Sequence, residues 1–329
     1  MKEQPPIPKE RTQAIVGGVR GALLELGSAT KAELSERLGI SFPTVSKVLT
    51  RLERQGEVLT LGRDESSGGR RALRYAYLPE AMLSLSLFLE KAGTRYAVCT
   101  GKGETLETGA AASFLPDDRN GLADQIASLV AAHPRIRAIA VGVPGAVRAG
   151  RIIHIPGYAG YRDFHLQEFL EARFSLPAAV ENDMNAAALG YQARRGETGD
   201  SLLYLYFGQN GPGAGLLVGG EVVRGHSFFS GEISFLPLYD KRNFQEALAG
   251  DRTDAVARLI AASAALFNPR TVVFCRGETT EAELAGFAET AARYVPAAHL
   301  PELLLSGWED DYLHGLHHLA LARMLAAAD

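Results

Sequence analysis

The segment VENDMNAAALGY, residues 180–191, brings an asparagine and an aspartate to the junction between a short strand and a helix of small residues. Asn182 or Asp183 can cap this helix by accepting hydrogen bonds from its first free N–H groups. Alternatively, Asp183 can serve as a base or as a hydroxyl-binding group at the carboxyl end of the strand. The rest of the chain bears on which of these roles the pair fulfils.

Length and composition indicate a globular protein of more than one domain. The chain has 329 residues, of which 47% are hydrophobic and 22% charged. It contains no run of about 18 apolar residues that would predict a membrane span, and its polar N-terminus does not resemble a signal peptide. Cys99 and Cys275 form neither a disulfide framework nor a metal-type cluster. We therefore expect a cytoplasmic protein that binds no metal, no cofactor and no membrane.

The charge is distributed unevenly along the chain. Residues 1–79 carry 13 Lys and Arg against 9 Asp and Glu, whereas the remaining residues carry 21 against 29. A basic N-terminal segment on an acidic body is compatible with binding to nucleic acid, although a solvated helical face has a similar charge.

Helical periodicity dominates the first 56 residues. Apolar residues three and four positions apart predict a first helix that ends at Gly27. Thr30, followed by Glu33, forms a capping-box pattern for a second helix, whose predicted buried residues are Ala32, Leu34 and Leu38. A third helix follows directly, and its predicted apolar stripe consists of Val45, Val48, Leu49 and Leu52.

This order of elements is typical of a helix-turn-helix, whose second helix enters the major groove of DNA. Residues 57–78 then predict two strands around a Gly-rich turn, as in the wing of a winged helix, where arginines can contact phosphates or the minor groove. The alternative is a small helical interaction domain with a hairpin. The candidate DNA-binding residues are Ser41, Phe42, Pro43, Thr44, Ser46, Lys47, Arg51, Arg70 and Arg71.

The body contains repeated strands and helices, which predict an α/β fold. Three of its motifs, VGVPGAV at 141–147, VENDMNAAALG at 180–190 and GQNGPGAGLLVGGEVVRG at 208–225, resemble those of the ROK (repressor, open reading frame, kinase) family. The resemblance covers nearly the whole chain. It implies a winged helix-turn-helix followed by a two-lobed body of the kind shared by actin, Hsp70 and sugar kinases, with a ribonuclease H-like fold.

The resemblance also implies where the domains divide. We expect a DNA-binding domain at residues 1–79 and a ROK-like body at 80–329. Within the body, lobe I is expected at about 80–186 together with a C-terminal helix at 313–329, and lobe II at about 187–312.

The resemblance further implies a carbohydrate pocket between the lobes. In kinases of the family, the counterpart of Asp183 deprotonates a sugar hydroxyl, and the counterparts of Asn182 and Glu232 bind the sugar. His154 stands where the family often has a sugar-binding asparagine, and Gly145 belongs to the Gly-x-Pro-Gly stretch. These five residues are the candidate contacts for a sugar or sugar-derived effector. A helix cap at Asp183 and an exposed salt bridge at Glu232 remain the alternatives.

Several motifs of the family kinases are altered. LEKAGTR at 89–95 replaces their Asp-x-Gly-Gly-Thr phosphate loop, and CRGET at 275–279 replaces their nucleotide-binding turn. Phe235 stands in place of the zinc-binding histidine, and no cysteine cluster follows it. Because phosphoryl transfer depends on positioning and neutralising phosphates, we expect no catalytic residue here, and Asp183 is the remnant of one.

The sequence therefore predicts a DNA-binding transcriptional regulator, a repressor of carbohydrate-related genes, with a non-catalytic body. Its expected partners are double-stranded DNA and further copies of itself, as a homodimer or higher homo-oligomer, because paired heads read two half-sites. Two alternatives remain. One is a working sugar kinase with an added head, and the other is a regulator controlled by a protein partner without a small ligand.

Overall fold

The computed structural model of the protein has the α/β fold predicted from the sequence. The residues that it describes are 9–63, 72–116, 118–196, 199–208 and 211–327. Within these ranges, a small antiparallel sheet belongs to the N-terminal head, and two five-stranded sheets form the framework of the body. None of the described helices combines the length and the apolar character needed to cross a membrane.

The head has the order of elements expected of a winged helix-turn-helix. The three strands pair antiparallel in the order β1-β3-β2. The elements of the head are α1 (Lys9–Leu26), β1 (Ser28–Thr30), α2 (Lys31–Leu38), α3 (Phe42–Arg54), β2 (Val58–Arg63) and β3 (Leu73–Tyr77). Arg70 and Arg71, which the sequence assigns to the base of the Gly-rich turn of the wing, lie outside the described residues.

Most of the local predictions for the head are confirmed. The capping box of Thr30 and Glu33 is present, and the four predicted residues of the α3 stripe are all buried. In α2, Leu34 is fully buried and Leu38 packs partly against the core, but the prediction that Ala32 is buried is wrong. The helix has only eight residues, and Ala32 lies in its exposed first turn beside Lys31 and Glu33.

A buried ion pair fastens α1 to the sheet of the head. Arg20, only 3% exposed, donates to both carboxylate oxygens of Glu57, at 2.8 and 2.7 Å. The Tyr77 hydroxyl donates to the same carboxylate at 2.9 Å. This network joins α1, the residue before β2 and the end of β3. Removing one partner of a buried pair leaves an uncompensated charge, so the three side chains depend on one another.

The first sheet of the body has the strand order β10-β7-β4-β5-β6. Its central strands pair in parallel, whereas β5 and β6 run antiparallel to their neighbours. The helices α4 and α5 cover one face, and a hairpin of β8 and β9 follows β7. The bounds are β4 (Leu83–Leu89), β5 (Thr94–Thr100), β6 (Thr105–Ala111), α4 (Arg119–Ala132), β7 (Ile136–Val143), β8 (Ala146–Arg148), β9 (Arg151–His154), α5 (Leu166–Phe174) and β10 (Ala178–Asn182).

The second sheet has the order β13-β12-β11-β14-β15. Strands β11, β14 and β15 are parallel, and β12 and β13 complete the sheet in antiparallel pairing. The bounds are α6 (Asp183–Arg195), β11 (Leu202–Tyr206), β12 (Gly213–Val218), β13 (Glu221–Val222), α7 (Phe244–Leu248), α8 (Arg252–Leu266), β14 (Thr271–Cys275), α9 (Glu281–Ala291), β15 (Glu302–Ser306) and α10 (Trp308–Ala326).

Helices α6 and α10 pack against each other between the two sheets. A Cβ added at Gly190 would lie 1.8 Å from the carbonyl oxygen of Asp311, and one at Gly315 would lie 1.8 Å from that of Ala186. Both positions therefore require glycine, because the two backbones touch there. The helix expected at 313–329 begins earlier, at Trp308, and the acidic first turn of α10 suits this N-terminus.

The C-terminal helix α10 also packs against the head. One core cluster runs without interruption from α1 and α3 of the head to α6 and α10 of the body. A Cβ added at Gly17 would lie 1.9 Å from the carbonyl oxygen of Leu325, so α1 also approaches α10 at backbone distance. The division into a domain at 1–79 and a two-lobed body stays a prediction. The packing does not mark its boundaries, because α6 and α10 contact both sheets of the body and α10 also contacts the head.

A cavity of about 510 Å³ lies at the junction between head and body. Its wall includes Arg20, Arg135 and Arg137, but these cations already have partners among the described residues. Arg20 binds Glu57, and the other two donate to backbone carbonyls. We therefore interpret the cavity as a gap in the packing between head and body and not as a ligand site.

Two neighbouring glycines test the contact between α1 and α10. We expect Gly17→Ala to lower the free energy of unfolding by about 1–3 kcal/mol, because the added methyl group overlaps the Leu325 carbonyl. Gly18→Ala is the matched control, since its Cβ would meet only a side-chain carbon of Leu38 at 3.5 Å. Alanine at position 18 should be neutral or stabilising by up to about 1 kcal/mol, the helix-propensity gain over glycine. Equal effects in urea unfolding would contradict the contact.

Candidate functional site

Asn182 is the residue that caps α6. It ends β10 with extended dihedral angles, and its Oδ1 accepts a hydrogen bond from the backbone N–H of Asn185 at 3.0 Å. Its Nδ2 donates to the carbonyl oxygen of Gly145 at 3.1 Å and to Oδ1 of Asp183 at 2.9 Å. The side chain therefore joins the end of β10 to the loop after β7. This arrangement gives the capping role to Asn182 and leaves Asp183 as the first residue of the helix.

Asp183 has one oxygen held and one open. Its Oδ1 accepts from the backbone N–H of Met184 at 2.8 Å and from Asn182. Among the described residues, none donates a hydrogen bond to Oδ2. The residue is partly exposed although it lies deep among protein atoms. An oriented carboxylate with one free oxygen is suited to accept a hydrogen bond from a ligand hydroxyl.

The surroundings of Asp183 oppose its ionisation. Burial is the main cause that raises its pKa to about 7, and the carboxylates of Glu90 and Glu232 raise it further. The hydrogen bonds from Met184 and Asn182 work in the other direction. Near neutral pH the side chain can therefore either donate or accept a proton in a hydrogen bond.

Three of the other candidate residues lie around Asp183. Gly145 is buried, and a Cβ there would lie 2.3 Å from the carbonyl oxygen of His154, so the hairpin passes directly over it. His154, at the end of β9, is exposed and close enough to Glu232 to favour the ionised form of that carboxylate. Burial nevertheless raises the pKa of Glu232. The fold thus brings all five predicted contact residues near one another from separate parts of the chain, and their role as ligand contacts stays a prediction.

An ion pair that the sequence did not predict spans the cleft region. Glu181, the residue before the capping asparagine, is buried and binds Arg224, which follows β13 of the second sheet. The same carboxylate accepts from the backbone N–H of Asn182 and from Nδ2 of Asn185, both at 3.0 Å. Arg224 therefore fixes the turn that positions Asn182 and Asp183. The only hint of this ion pair in the sequence is the arginine that follows the GGEVV segment. The sequence around a solvent-exposed arginine would look the same, so the pair could not be predicted.

Two further carboxylates, Glu90 and Glu278, lie near Tyr206. Glu278, in the CRGET turn, accepts a hydrogen bond from the backbone N–H of Phe207 at 2.8 Å. That N–H lies at the start of the Gly-rich loop, and residues 209 and 210 of the loop are outside the described ranges. Burial raises the pKa of Tyr206 to about 12, and Glu278 and Glu90 contribute to the rise. Glu90 is itself paired with the guanidinium of Arg95 at 3.1 Å.

The DNA-binding candidates lie at the start of α3. Ser41 is its N-cap, and its hydroxyl is 2.8 Å from that of Thr44. Ser46 accepts from Nζ of Lys31 at 2.9 Å, so its hydroxyl already has a partner within the head. The structure exposes Lys47 and places Arg51 half-buried on the next turn. Phe42 and Pro43 are exposed at the first turn, with Phe42 at 53%.

In the described part of the chain, no group of three His, Cys, Asp or Glu side chains is placed to hold one metal ion. Phe235, at the position of the family's zinc-binding histidine, is 63% exposed. A phenyl ring offers no donor to zinc, so a zinc ion of the family type does not fit at this position.

The raised pKa of Asp183 predicts a pH-dependent stability. The native side chain holds its proton up to about pH 7, whereas an unfolded aspartate releases it near 3.8. Between these values the native state binds more protons, so the contribution of Asp183 to stability falls as pH rises from about 4 to about 7. Urea unfolding of wild type and Asp183→Asn across this range should show their difference falling in the same sense. A difference independent of pH would mean that Asp183 is ionised throughout.

Comparison with known proteins supports this description of the body. Residues 91–247 match the family model of the ROK family. The xylose repressor of Bacillus spizizenii is 26% identical over 227 residues, which cover 66% of this chain and 58% of the repressor. The chain therefore spans less than three-fifths of that relative. The beta-glucoside kinase of Listeria monocytogenes is 36% identical over 110 residues, which cover 32% of this chain and 37% of the kinase.

A solved structure matches almost the whole chain, head included. It is a ROK family transcriptional regulator described as a homologue of the E. coli MLC protein. The TM-score is 0.77 with 17% sequence identity, and the match covers 96% of this chain and 98% of the regulator. At this identity the likeness shows the fold. The family model thus matches residues 91–247, and the solved structure extends the likeness of fold to the N-terminal head.

Proposed function

We propose that this chain is a DNA-binding transcriptional regulator, a repressor of carbohydrate-related genes, whose body binds a sugar and does not phosphorylate it. The observation that carries the proposal is the combination of a winged-helix head with a ROK cleft in one continuous core. The similarity to xylose repressors and the full-length likeness to a regulator of the same family support it. Its partners are double-stranded DNA and further copies of the chain, in a homodimer or a higher homo-oligomer.

The head supplies a surface suited to DNA. Lys47 is exposed on α3, and the hydroxyls of Ser41 and Thr44 lie on its first turn. Short polar and basic side chains at the start of such a helix are the ones that reach base edges and phosphates. The basic excess of residues 1–79 supplies the long-range attraction to the phosphate backbone.

The absence of catalysis is supported by the charges on the nucleotide side of the cleft. Glu278 accepts the backbone N–H of Phe207, and Glu90, in the LEKAGTR stretch, is paired with Arg95 at 3.1 Å. A carboxylate on this N–H competes with the phosphates that a kinase must bind and neutralise. The alternative, a working sugar kinase, is favoured by the similarity to the beta-glucoside kinase and by the intact Asp183.

The cleft supplies groups that recognise a sugar. Asn182, Asp183 and Glu232 offer oriented amide and carboxylate oxygens to several hydroxyls at once. Since the similar repressors are named for xylose, the first ligands to test are D-xylose and other aldoses. If no sugar binds, the remaining alternative is a regulator controlled by a protein partner.

The packing also offers a way for the ligand to affect DNA binding. The residues that contact the sugar lie at the start of α6, which touches α10 at Gly190 and Gly315. The far end of α10 touches α1 of the head at Gly17. A ligand that binds one arrangement of the lobes better than the other would shift the position of the head through these contacts.

DNA binding by the full-length protein should depend strongly on salt. Each phosphate contact contributes about −0.9 to the slope of log K against log of the salt concentration, so Arg70→Ala/Arg71→Ala should flatten that slope by about 2 if both arginines contact phosphates. Lys47→Ala should change the preference among DNA sequences more than the slope. Lys102→Ala, an exposed lysine of the body, is the control and should bind as wild type does. No binding to a genomic fragment library at low salt would overturn the proposal.

Sugar binding and phosphoryl transfer can be separated in one set of proteins. We expect calorimetry to detect an aldose in wild type, and Asn182→Ala to weaken it about tenfold or more by removing one or two hydrogen bonds. Asn243→Ala is the matched control, because Asn243 caps α7 in the same way outside the cleft. A coupled assay should show no ADP release with the same sugar and ATP. ADP release that is lost in Asp183→Asn would establish the kinase alternative.

A further inference from the structure

Two aromatic side chains flank the turn that carries Glu232. Phe229 is 55% exposed and Phe235 is 63% exposed, and their ring centroids lie 5.4 Å apart. Both belong to the same tight turn, since the N–H of Glu232 donates to the carbonyl of Phe229 and the N–H of Phe235 to that of Glu232. Paired exposed aromatic rings beside a polar cleft are a feature of ligand-binding surfaces.

The geometry of the turn places one of these rings on the cleft side. Residues 233–235 form a single 3₁₀ turn that begins after Glu232. In such a turn, side chains three positions apart project from the same side. Phe235 therefore projects beside Glu232, which is near enough to His154 and Asp183 for their charges to interact. Through its contact with Phe235, the ring of Phe229 extends the same surface outward.

The loop before this turn is fixed across the cleft. Phe228 has a positive φ of 61°, which is uncommon for a residue with a bulky side chain. The guanidinium of Arg148, at the end of β8, lies 5.5 Å from the centre of the Phe228 ring. This cation–π contact joins the hairpin that carries His154 to the loop that carries the aromatic pair. The pair therefore has a defined position relative to the cleft.

Depth distinguishes the two parts of the cleft. Asp183 lies deep, Glu232 lies nearer the surface, and the aromatic pair is more than half exposed at the mouth. A sugar ring bound by Asn182 and Asp183 sits at the bottom, so the aromatic pair meets whatever is attached to that ring. The C–H face of a second sugar ring fits an aromatic surface, because it is apolar and carries the positive end of its C–H dipoles.

We propose that Phe229 and Phe235 form a stacking subsite for a second sugar ring, so that the cleft binds a disaccharide or longer saccharide in preference to its monosaccharide. This inference rests on the proposed sugar-binding function of the cleft. It makes the aromatic pair a determinant of ligand size, while Asn182 and Asp183 hold the first ring. Stacking removes apolar area from water on both partners, which favours the longer ligand.

Paired ligands of the two lengths test the subsite. Calorimetry on the full-length protein should compare D-xylose with xylobiose and D-glucose with cellobiose. In wild type, one disaccharide should bind about tenfold more tightly than its own monosaccharide, from the burial of about 50–60 Å² of apolar surface. Phe229→Ser and Phe235→Ser should each remove most of this preference and leave the monosaccharide affinity unchanged.

Two controls keep the result specific to the aromatic rings. Phe235→Trp retains a ring and should retain the preference for the disaccharide. Leu106→Ser removes an equally exposed apolar side chain of β6, outside the cleft, and should change neither affinity. Equal affinities for both lengths in wild type, or a preference that survives both serine variants, would overturn the subsite while leaving monosaccharide sensing intact. If no sugar of either length binds while DNA is still bound, the sugar-binding function itself fails, and the subsite fails with it.

Discussion

The backbone contact between α6 and α10 is the constraint on which the rest of the structure depends. Gly190 and Gly315 let the two helices touch between the sheets, where any side chain would separate them. At one end of this pair, Asn182 and Asp183 occupy the start of α6. At the other end, Leu325 of α10 lies against Gly17 of the head. A single packed unit therefore contains the turn of Asn182 and Asp183 and the support of the N-terminal head, so a shift at either end is felt in that unit.

The capping of α6 and the orientation of Asp183 depend on the same side chain. Asn182 accepts the N–H of Asn185 and donates to Oδ1 of Asp183, so in the proposed function capping and ligand binding are roles of neighbouring residues. Glu278 holds the backbone N–H of Phe207, and Glu90 is held by Arg95. The proposed regulator needs only differential binding of its ligand to two arrangements of the body.

The sequence predicted what depends on neighbours along the chain. The α3 stripe and the capping box of Thr30 follow from helical spacing, and both are present. The raised pKa of Asp183 could not be predicted in this way, because it depends first on burial by the folded chain, and then on Glu90 and Glu232, which are about 90 and 50 residues away. The ion pair of Glu181 and Arg224 could not be predicted either, because its two residues are far apart in the sequence. The prediction that Ala32 is buried rested on its spacing alone. Spacing does not show that α2 has only eight residues or that its first turn is exposed.

In the proposed function, ligand binding near Asn182 and Asp183 reaches the head through α6 and α10. Amide hydrogen exchange of the full-length protein, with and without the saccharide that binds most tightly, measures this coupling. We expect the ligand to change exchange at the start of α6, and also in the last turns of α10 and in α1 around Gly17. Changes confined to the cleft, with α10 and α1 exchanging as before, would contradict it.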